Sequence, residues 1–290
     1  MRGLGTASGA VTLVNALPTG VGCALAVALP VHAEVELRRD ASNGSRVHID
    51  RASDSPLVRE TVNAALSRYA PGESFLGDLR VRSDVPVAKG LKSSSAVGAA
   101  VAGAILDALR QRRSAEDVAR LAAEVAQQIG LSATGAYDDC LAAVRGGLAF
   151  TDNSTRTALR APPFTLDLEA VLWIPTGVHT PSPDHLTRFR SASGEGLHVV
   201  AAARAGRWAD AMTLNSRLVE RLMGYDYDSL RGRLTQLGAA MAGVSGMGPT
   251  VAALVPRGRG PEFREVLATD GVEVRVAPLR RQDGAQLEGT

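Results

Sequence analysis

Residues 86–96 read PVAKGLKSSSA, and the chain continues through residue 109 as VGAAVAGAILDAL. Apolar side chains recur there at a helical spacing, at Val97, Val101, Ile105, Ala108 and Leu109. The pattern predicts that Ser93, Ser94 and Ser95 open a helix, where unpaired N–H groups and the positive end of the helix dipole attract anions. A single serine at this position would be an ordinary N-cap. Three serines after GLK favour a phosphate-binding loop.

Two familiar nucleotide-binding motifs are excluded. A Walker A loop reads GxxxxGK[ST], and no glycine stands five residues before Gly90. The glycines at 243, 246 and 248 give GxxGxG, the reverse of the dinucleotide fingerprint. The function of this loop therefore has to be inferred from other segments of the chain.

Length and composition limit the domain number, the binding partners and the cellular compartment that the chain allows. The chain has 290 residues, enough for two modest domains, and a net charge of +2 that indicates neither a nucleic-acid nor a membrane partner. Two cysteines in apolar surroundings, Cys23 and Cys140, are typical of reduced thiols in a cytoplasmic protein. The five histidines lack metal-ligand spacing. An apolar run at 21–31 resembles a secretion signal, but two adjacent buried strands account for it better.

Strand and helix patterns alternate without a regular repeat, which predicts an α+β protein. Strands are predicted at 10–15, 22–37, around GSRVHID and LRVRSD, at 146–150, and at AVLWIP, TVAALVP and VEVRVAP. Helices are predicted near 56–69, 94–111, 115–129, from Tyr137, and near 196–205, 208–223, 228–242 and 260–268. Turn formers and paired prolines after residue 150 predict two domains, 1–155 and 156–280, followed by a solvated tail, 281–290.

Four segments hold more glycine and short polar residues than a core requires: 5–22, 86–96, 132–139 and 244–250. In the first, Ser8, Asn15 and Thr19 surround a strand-like core, where polar groups without partners would be costly. Ligand contact and a structural turn are both open interpretations of this segment. The glycines of GVSGMGPT allow a tight turn or the close approach of a ligand.

Acidic residues supply the candidates for proton transfer and metal binding. Asp138 and Asp139 follow a glycine turn and head a helix, where one of them caps the dipole or takes a proton from an attacking hydroxyl. Glu124 is either a solvated helix glutamate or a ligand that completes a Mg²⁺ shell with phosphate oxygens. The sequence leaves both alternatives open.

Taken together, these segments resemble the GHMP kinase superfamily of galactokinase, homoserine, mevalonate and phosphomevalonate kinases. The family motif PxxxGLGSSAA stands here as PVAKGLKSSSA, with Lys92 in place of a glycine. With ASGAVTLVNALPTGVGCA at 7–24, TGAYDD at 134–139, TDN at 151–153 and SGMGPT at 245–250, this variant is similar to the archaeal-type shikimate kinases. The resemblance covers nearly the whole chain in the expected order.

The resemblance implies a two-domain α+β fold, with a ribosomal protein S5-like N-terminal domain that binds ATP and a ferredoxin-like C-terminal domain. It implies transfer of the ATP γ-phosphoryl to a hydroxyl of shikimate, with Asp138 and Lys92 as catalytic residues. It also implies an ATP-binding loop, Mg²⁺ ligands and substrate contacts. The loop comprises Pro86, Lys89, Gly90, Leu91, Lys92, Ser93, Ser94, Ser95 and Ala96; the metal ligands are Ser93, Ser94 and Glu124; the substrate contacts are Ser8, Asn15, Thr19, Thr134, Asp138 and Gly246.

Several points stay open at this stage. The acceptor could be another small alcohol, such as homoserine or a cyclitol, and a nucleotide-binding protein without catalysis is a further alternative. Asp138 is favoured over Asp139 as the catalytic residue. The cation for the substrate carboxylate is one of Arg145, Lys89, Arg188 and Arg190. A homodimer is allowed, but no pattern in the chain indicates the oligomeric state.

Overall fold

The computed structural model describes residues 1–41, 44–165, 167–177, 182–269 and 271–282. The N-terminal part runs β1 (Arg2–Val14), β2 (Val21–Asp40), β3 (Arg46–Ile49), α1 (Pro56–Tyr69), β4 (Ser74–Ser83), α2 (Ser93–Ala108), α3 (Ala115–Gln128), α4 (Tyr137–Arg145), β5 (Leu148–Asp152), β6 (Thr157–Ala158). The C-terminal part runs β7 (Leu168–Pro175), α5 (Pro183–Ser191), α6 (Ser193–Arg204), α7 (Trp208–Met223), α8 (Asp228–Gln236), β8 (Met241–Val244), β9 (Val251–Pro256), α9 (Gly260–Leu267), β10 (Val272–Pro278).

Strands β1 to β6 form the first sheet, in the order β3-β4-β2-β5-β6 with β1 paired to β2. The pairing of β1 with β2 is antiparallel, as expected for two adjacent buried strands. Helix α2 lies so close to β1 that a Cβ on Gly5 would stand 1.9 Å from the carbonyl oxygen of Ala100. This close packing of small residues fixes the position of α2 and of its N-terminus.

Strands β7 to β10 form the second sheet, in the order β10-β7-β9-β8, with every neighbour antiparallel. Helices α5 to α8 connect β7 to β8, and α9 connects β9 to β10. This is the strand order of a ferredoxin-like βαββαβ unit. The ferredoxin-like expectation for the C-terminal part is confirmed.

The two parts share a hydrophobic core. Trp208 of α7 contacts Phe150 of β5 edge to face, with ring centroids 6.3 Å apart. After β10 the chain returns to the first sheet, where Arg280 N donates to Ala26 O at 3.0 Å and Gly147 N donates to Arg280 O at 2.8 Å. Segments from both parts can therefore meet around one site.

Most predicted elements are present, and α1 and α7 have the predicted bounds. The helix predicted over 228–242 was wrong at its end: α8 stops at Gln236, Gly238 has φ 95°, and 241–244 is strand β8. Helix α5 was not predicted. Arg281 and Gln282 are exposed, and the rest of the predicted tail lies outside the described residues. Among the described helices, none has the length and apolar character needed to cross a membrane.

Candidate active site

The serine loop forms an open helix terminus. Lys92 is the N-cap of α2, with φ 68° and ψ 31° in the left-handed region, and no side chain caps this end of the helix. The first helical hydrogen bond runs from Ala96 N to Lys92 O, at 3.0 Å. The N–H groups of Ser93, Ser94 and Ser95 precede that bond and are the donors that a bound anion would use.

A second helix terminus carries the carboxylates. Helix α4 begins after Ala136, and Asp138 and Asp139 lie in its first turn, both buried. Asn153 holds Asp138 on two sides: its Nδ2 donates to Asp138 Oδ1 at 2.8 Å, and its Oδ1 accepts from Asp138 N at 3.1 Å. On its other side Asp138 faces Gly22, where a Cβ would stand 2.4 Å from Oδ2. Asp138 is therefore fixed in one orientation.

Lys92 connects the two termini. Its Nζ lies 3.3 Å from Asp139 Oδ2, and both side chains are nearly buried, 12% and 11% exposed. The other carboxylate oxygen of Asp139 is buried without a hydrogen-bond partner among the described residues. The site thus contains one cation between a phosphate-type helix terminus and a pair of carboxyl groups.

Burial changes the acidity of this pair. It raises the pKa of Asp138 to about 7; the neighbouring Asp139 adds to the rise, and Lys92 and the Asn153 hydrogen bond oppose it. Burial also raises the pKa of Asp139, against the opposing charge of Lys92. Because the two carboxyl groups titrate together, proton uptake near neutral pH belongs to the pair. Such a pair can accept a proton from an alcohol.

Residues 245–248, which we call the roof segment, lie against Lys92. Ser245 Oγ donates to Gly90 O at 2.7 Å, so the segment contacts the serine loop directly. A Cβ on Gly246 would stand 3.2 Å from Lys92 Nζ, and Gly246 N donates to Thr12 Oγ1 at 2.9 Å. The roof segment belongs to the C-terminal part of the chain, so the site forms where the two parts meet.

Five of the predicted catalytic and substrate-binding residues lie in this cluster: Asn15, Lys92, Thr134, Asp138 and Gly246. Asn15 Nδ2 donates to Gly246 O at 3.1 Å. Thr134 Oγ1 lies 3.5 Å from Asn153 Nδ2 and accepts from Ala136 N at 3.2 Å. Both side chains hold backbone next to the site.

Other residues predicted for the site have partners elsewhere. Ser8 Oγ accepts from Arg280 Nη1 at 3.4 Å, near the C-terminal end of α4. Thr19 Oγ1 accepts from Val21 N at 3.2 Å. Glu124 forms an ion pair with Arg68 of α1, at 2.7 Å.

The loop residues divide by exposure. Leu91, Ser95 and Ala96 are buried and fix the loop in the core, while Ser94 is exposed and Pro86 and Ser93 are half-buried. Lys89 Nζ donates to the carbonyl oxygens of Pro175, at 2.5 Å, and of Gly177. Lys89 therefore joins the loop to the end of β7.

The other cations considered for a substrate carboxylate lie on two helices, α4 and α5. Arg145 donates to Leu148 O at 3.0 Å and lies 3.8 Å from Glu116. Arg188 pairs with Asp184 on the surface of α5, and Arg190 is exposed on the same helix.

Two residues that hold the site in place were not identified from the sequence. Asn153 was visible only as part of the TDN motif, although it fixes Asp138. Asn215 of α7 is 1% exposed, and its Oδ1 accepts from Asn15 N at 2.8 Å. A polar residue on the buried face of a predicted helix was the available signal for Asn215.

Comparisons with known proteins show the family to which the chain belongs. The family models of the GHMP kinases N terminal domain and the GHMP kinases C terminal domain match residues 56–147 and 199–273. The curated shikimate kinase of Methanothrix thermoacetophila is 36% identical over 97% of this chain and 95% of its own length. The curated shikimate kinase of Halobacterium salinarum is 34% identical over 88% of each chain.

Solved structures share the fold at low identity. A homoserine kinase from Cytophaga hutchinsonii aligns with a TM-score of 0.72 and 19% identity, over 97% of this chain and 96% of that one. The Methanococcus jannaschii mevalonate kinase aligns with a TM-score of 0.72 and 14% identity, over 96% and 98%. The sequence matches and the shared two-part fold lead to one conclusion: the chain is a small-molecule kinase that belongs to the GHMP kinase family.

Proposed function

We propose that this kinase transfers the γ-phosphoryl group of ATP to a hydroxyl of shikimate, in the cytoplasm. The acceptor is proposed because curated relatives that match almost the whole chain are named shikimate kinases. The observation that carries the chemistry is the 3.3 Å contact between Lys92 Nζ and Asp139 Oδ2. It places the donors of α2 and the carboxyl pair of α4 on either side of one cation.

The phosphate end of the reaction uses the open terminus of α2. The N–H groups and hydroxyls of Ser93 to Ser95 donate to phosphate oxygens, and the helix dipole favours their negative charge. Lys92 adds a full positive charge beside them. In a loose phosphoryl-transfer transition state, charge on the transferring group is stabilised mainly by such fixed donors and cations.

Mg²⁺ fits the donor set. It takes one or two protein oxygen ligands and completes its shell with water and phosphate oxygens. Ser94 is exposed and Ser93 is half-buried, and Glu124 would have to leave its ion pair with Arg68 to bind the ion. A bound Mg²⁺ would neutralise phosphate charge. Within the described ranges no group of three or more His, Cys, Asp or Glu residues could hold a metal by itself, and water and phosphate oxygens would complete the shell.

The acceptor end uses the carboxyl pair. Asp138 is the proposed base: Asn153 fixes its orientation, and its raised pKa of about 7 suits proton uptake from an alcohol at neutral pH. Asp139 holds Lys92, and its negative charge adds to the rise in the pKa of Asp138. The hydroxyl is thereby oriented toward the phosphoryl group while Lys92 balances the charge.

A coupled assay of ADP release tests the proposal. Purified protein is given ATP, Mg²⁺ and, separately, shikimate, quinate, homoserine and mevalonate, with a reaction lacking any acceptor as control. We expect shikimate to give the highest kcat/KM, with a new phosphate monoester in the ³¹P NMR spectrum. Turnover of another alcohol without turnover of shikimate, or absence of turnover with all four, would contradict the proposed acceptor.

A further inference from the structure

Helix α7 carries two adjacent polar side chains that are fully buried, Asn215 and Ser216. Asn215 Oδ1 accepts from Asn15 N at 2.8 Å. Ser216 Oγ accepts from Val244 N at 2.9 Å. One helix thus holds the backbone of two segments, the end of β1 and the end of β8, that approach the active site from different parts of the chain.

Both segments lead to the roof segment. Asn15 Nδ2 donates to Gly246 O at 3.1 Å, so the residue held by Asn215 itself holds Gly246. Val244 directly precedes Ser245, which donates to Gly90 O of the serine loop. Gly246 is the roof residue that faces Lys92 Nζ. Hydrogen bonds between buried or half-buried groups therefore connect α7 to the roof segment and the serine loop, and Gly246 of the roof segment lies against Lys92.

A buried ion pair fixes the direction of the Ser216 hydroxyl. Ser216 Oγ donates its proton to Glu220 Oε1 at 2.6 Å, and Arg231 Nε donates to the same oxygen at 2.9 Å. Glu220 and Arg231 are 8% and 9% exposed in their side chains. A hydroxyl has one proton, so once Glu220 accepts it, the oxygen is available only as an acceptor for Val244 N. These hydrogen bonds together hold Val244, and with it the end of β8, in one position.

We propose that Asn215 and Ser216 are positioning residues for phosphoryl transfer. They hold the roof segment so that Gly246 stays against Lys92, and Lys92 stays between the phosphates and Asp139. The inference rests on the proposed kinase mechanism but not on the identity of the acceptor. Neither side chain contacts the carboxyl pair, so their effect passes through the backbone that they hold.

The test compares Ser216→Ala with Thr61→Ala. Thr61 is a matched control because its hydroxyl is equally buried and donates to Leu57 O at 2.7 Å within α1. Kinetics are measured at a temperature well below both melting points, with the alcohol that the wild type phosphorylates. Misplacement of catalytic groups by about 1 Å costs up to about 10²-fold in rate, so we expect kcat of Ser216→Ala to fall about 10- to 100-fold.

Hydrogen exchange separates positioning from general destabilisation. We expect faster exchange of the amides of residues 244–248 in Ser216→Ala, and unchanged exchange there and unchanged kcat in Thr61→Ala. Ser216→Cys, whose thiol keeps a weak donor and acceptor, should recover part of kcat. Asn215→Ala provides the second variant and should lower kcat in the same way.

A kcat within twofold of wild type in folded Ser216→Ala or Asn215→Ala would overturn the proposal. An equal loss of kcat in Thr61→Ala would overturn it too, because the loss would then follow stability alone. If the wild type phosphorylates homoserine rather than shikimate, the proposed acceptor fails, and the same variants still test the positioning role with homoserine.

Discussion

Helices α2 and α4 begin alike and present opposite chemistry. Each starts after a residue in the left-handed region, Lys92 at φ 68° and Ala136 at φ 51°, and neither terminus has a side-chain cap. The first turn of α2 holds three serines and no acid, whereas the first turn of α4 holds Asp138 and Asp139. The N-terminus of α2 therefore offers hydrogen-bond donors to a bound anion, whereas the N-terminus of α4 carries two carboxyl groups.

Helix α3 shows what a structural terminus looks like in the same chain. Ser114 accepts from Asp117 N at 3.1 Å, and Asp117 returns a contact to Ser114 N at 3.4 Å, a complete capping box. The helices that meet at the active site lack such caps, which typically contribute about 1 kcal/mol. In the proposed mechanism their first turns serve phosphate binding and proton transfer instead.

The largest expected effect comes from removing the charge at the α4 terminus. Asp138→Asn keeps the shape and the Asn153 contact but cannot accept a proton. We expect kcat to fall at least about 10²-fold, with little change in the KM for ATP, because the phosphate donors are on α2. Steady-state kinetics measure both constants. Unchanged kcat would remove Asp138 from the mechanism.

Removing the cation between the termini should affect both of them. Lys92→Met leaves the serine donors in place but deletes the positive charge beside Asp139. We expect kcat/KM for ATP to fall about 10²-fold, the lower end of the loss typical of removing a transition-state donor. A variant with wild-type kcat/KM would show that α2 acts through its serines and dipole alone.

The pH profile reports the carboxyl pair directly. The pair acts as a base when deprotonated, so kcat/KM should fall as pH drops through the Asp138 pKa of about 7. The Asn153 hydrogen bond favours the charged form, so Asn153→Leu should raise the pKa and move this fall to higher pH. Profiles from pH 5 to 9 test the shift. A wild-type kcat/KM that stays constant from pH 9 down to pH 5 would contradict the raised pKa.

Raising the pH should lower the stability of the folded protein, whereas it should raise kcat/KM. Because the folded pKa of Asp138 lies above its ordinary value of 3.8, the folded state binds more protons between about pH 4 and pH 7. Stability contributed by this group is complete at the acidic end and is lost as pH rises through 7. Asn does not ionise, so Asp138→Asn should melt several degrees above wild type at pH 8 and equally at pH 4. A lower Tm of the variant at pH 8 would contradict this.

The smallest effects should separate the two kinds of helix terminus. Ser114→Ala removes a cap, so we expect a loss of about 1 kcal/mol in unfolding free energy and unchanged kinetics. Ser94→Ala removes an exposed hydroxyl at the open terminus, so we expect an unchanged Tm and a KM for ATP about 2- to 10-fold higher. Denaturant unfolding and ATP titration measure the two losses. If each variant showed the other's effect, the distinction between the termini would be wrong.

Local patterns predicted most of the secondary structure because periodicity and caps are local. Helix α1 begins at Pro56, after its N-cap Ser55, and ends at Tyr69, as predicted. Strand β8 was missed because Ala239, Ala240 and Met241 favour a helix, and only pairing with β9 makes the segment a strand.

The site was predictable in part for the same reason. Lys92 and Asp138 stand in motifs whose chemistry is visible in single segments, and the structure brings them together. The contact of Lys92 with Asp139 was not visible, because it depends on the packing of α2 against α4. Asn215 and Ser216 lie in an ordinary amphipathic helix, and their partners are 200 and 28 residues away in sequence. Such contacts follow from the tertiary fold.

A crystal structure with a non-hydrolysable ATP analogue and shikimate tests the division between the two termini most directly. The account predicts phosphate oxygens on the N–H groups of Ser93 to Ser95, Lys92 Nζ between phosphate and Asp139, and a shikimate hydroxyl about 2.6–3.2 Å from a carboxylate oxygen of Asp138 or Asp139. Phosphates bound away from residues 90–96, or a hydroxyl out of reach of both aspartates, would contradict it.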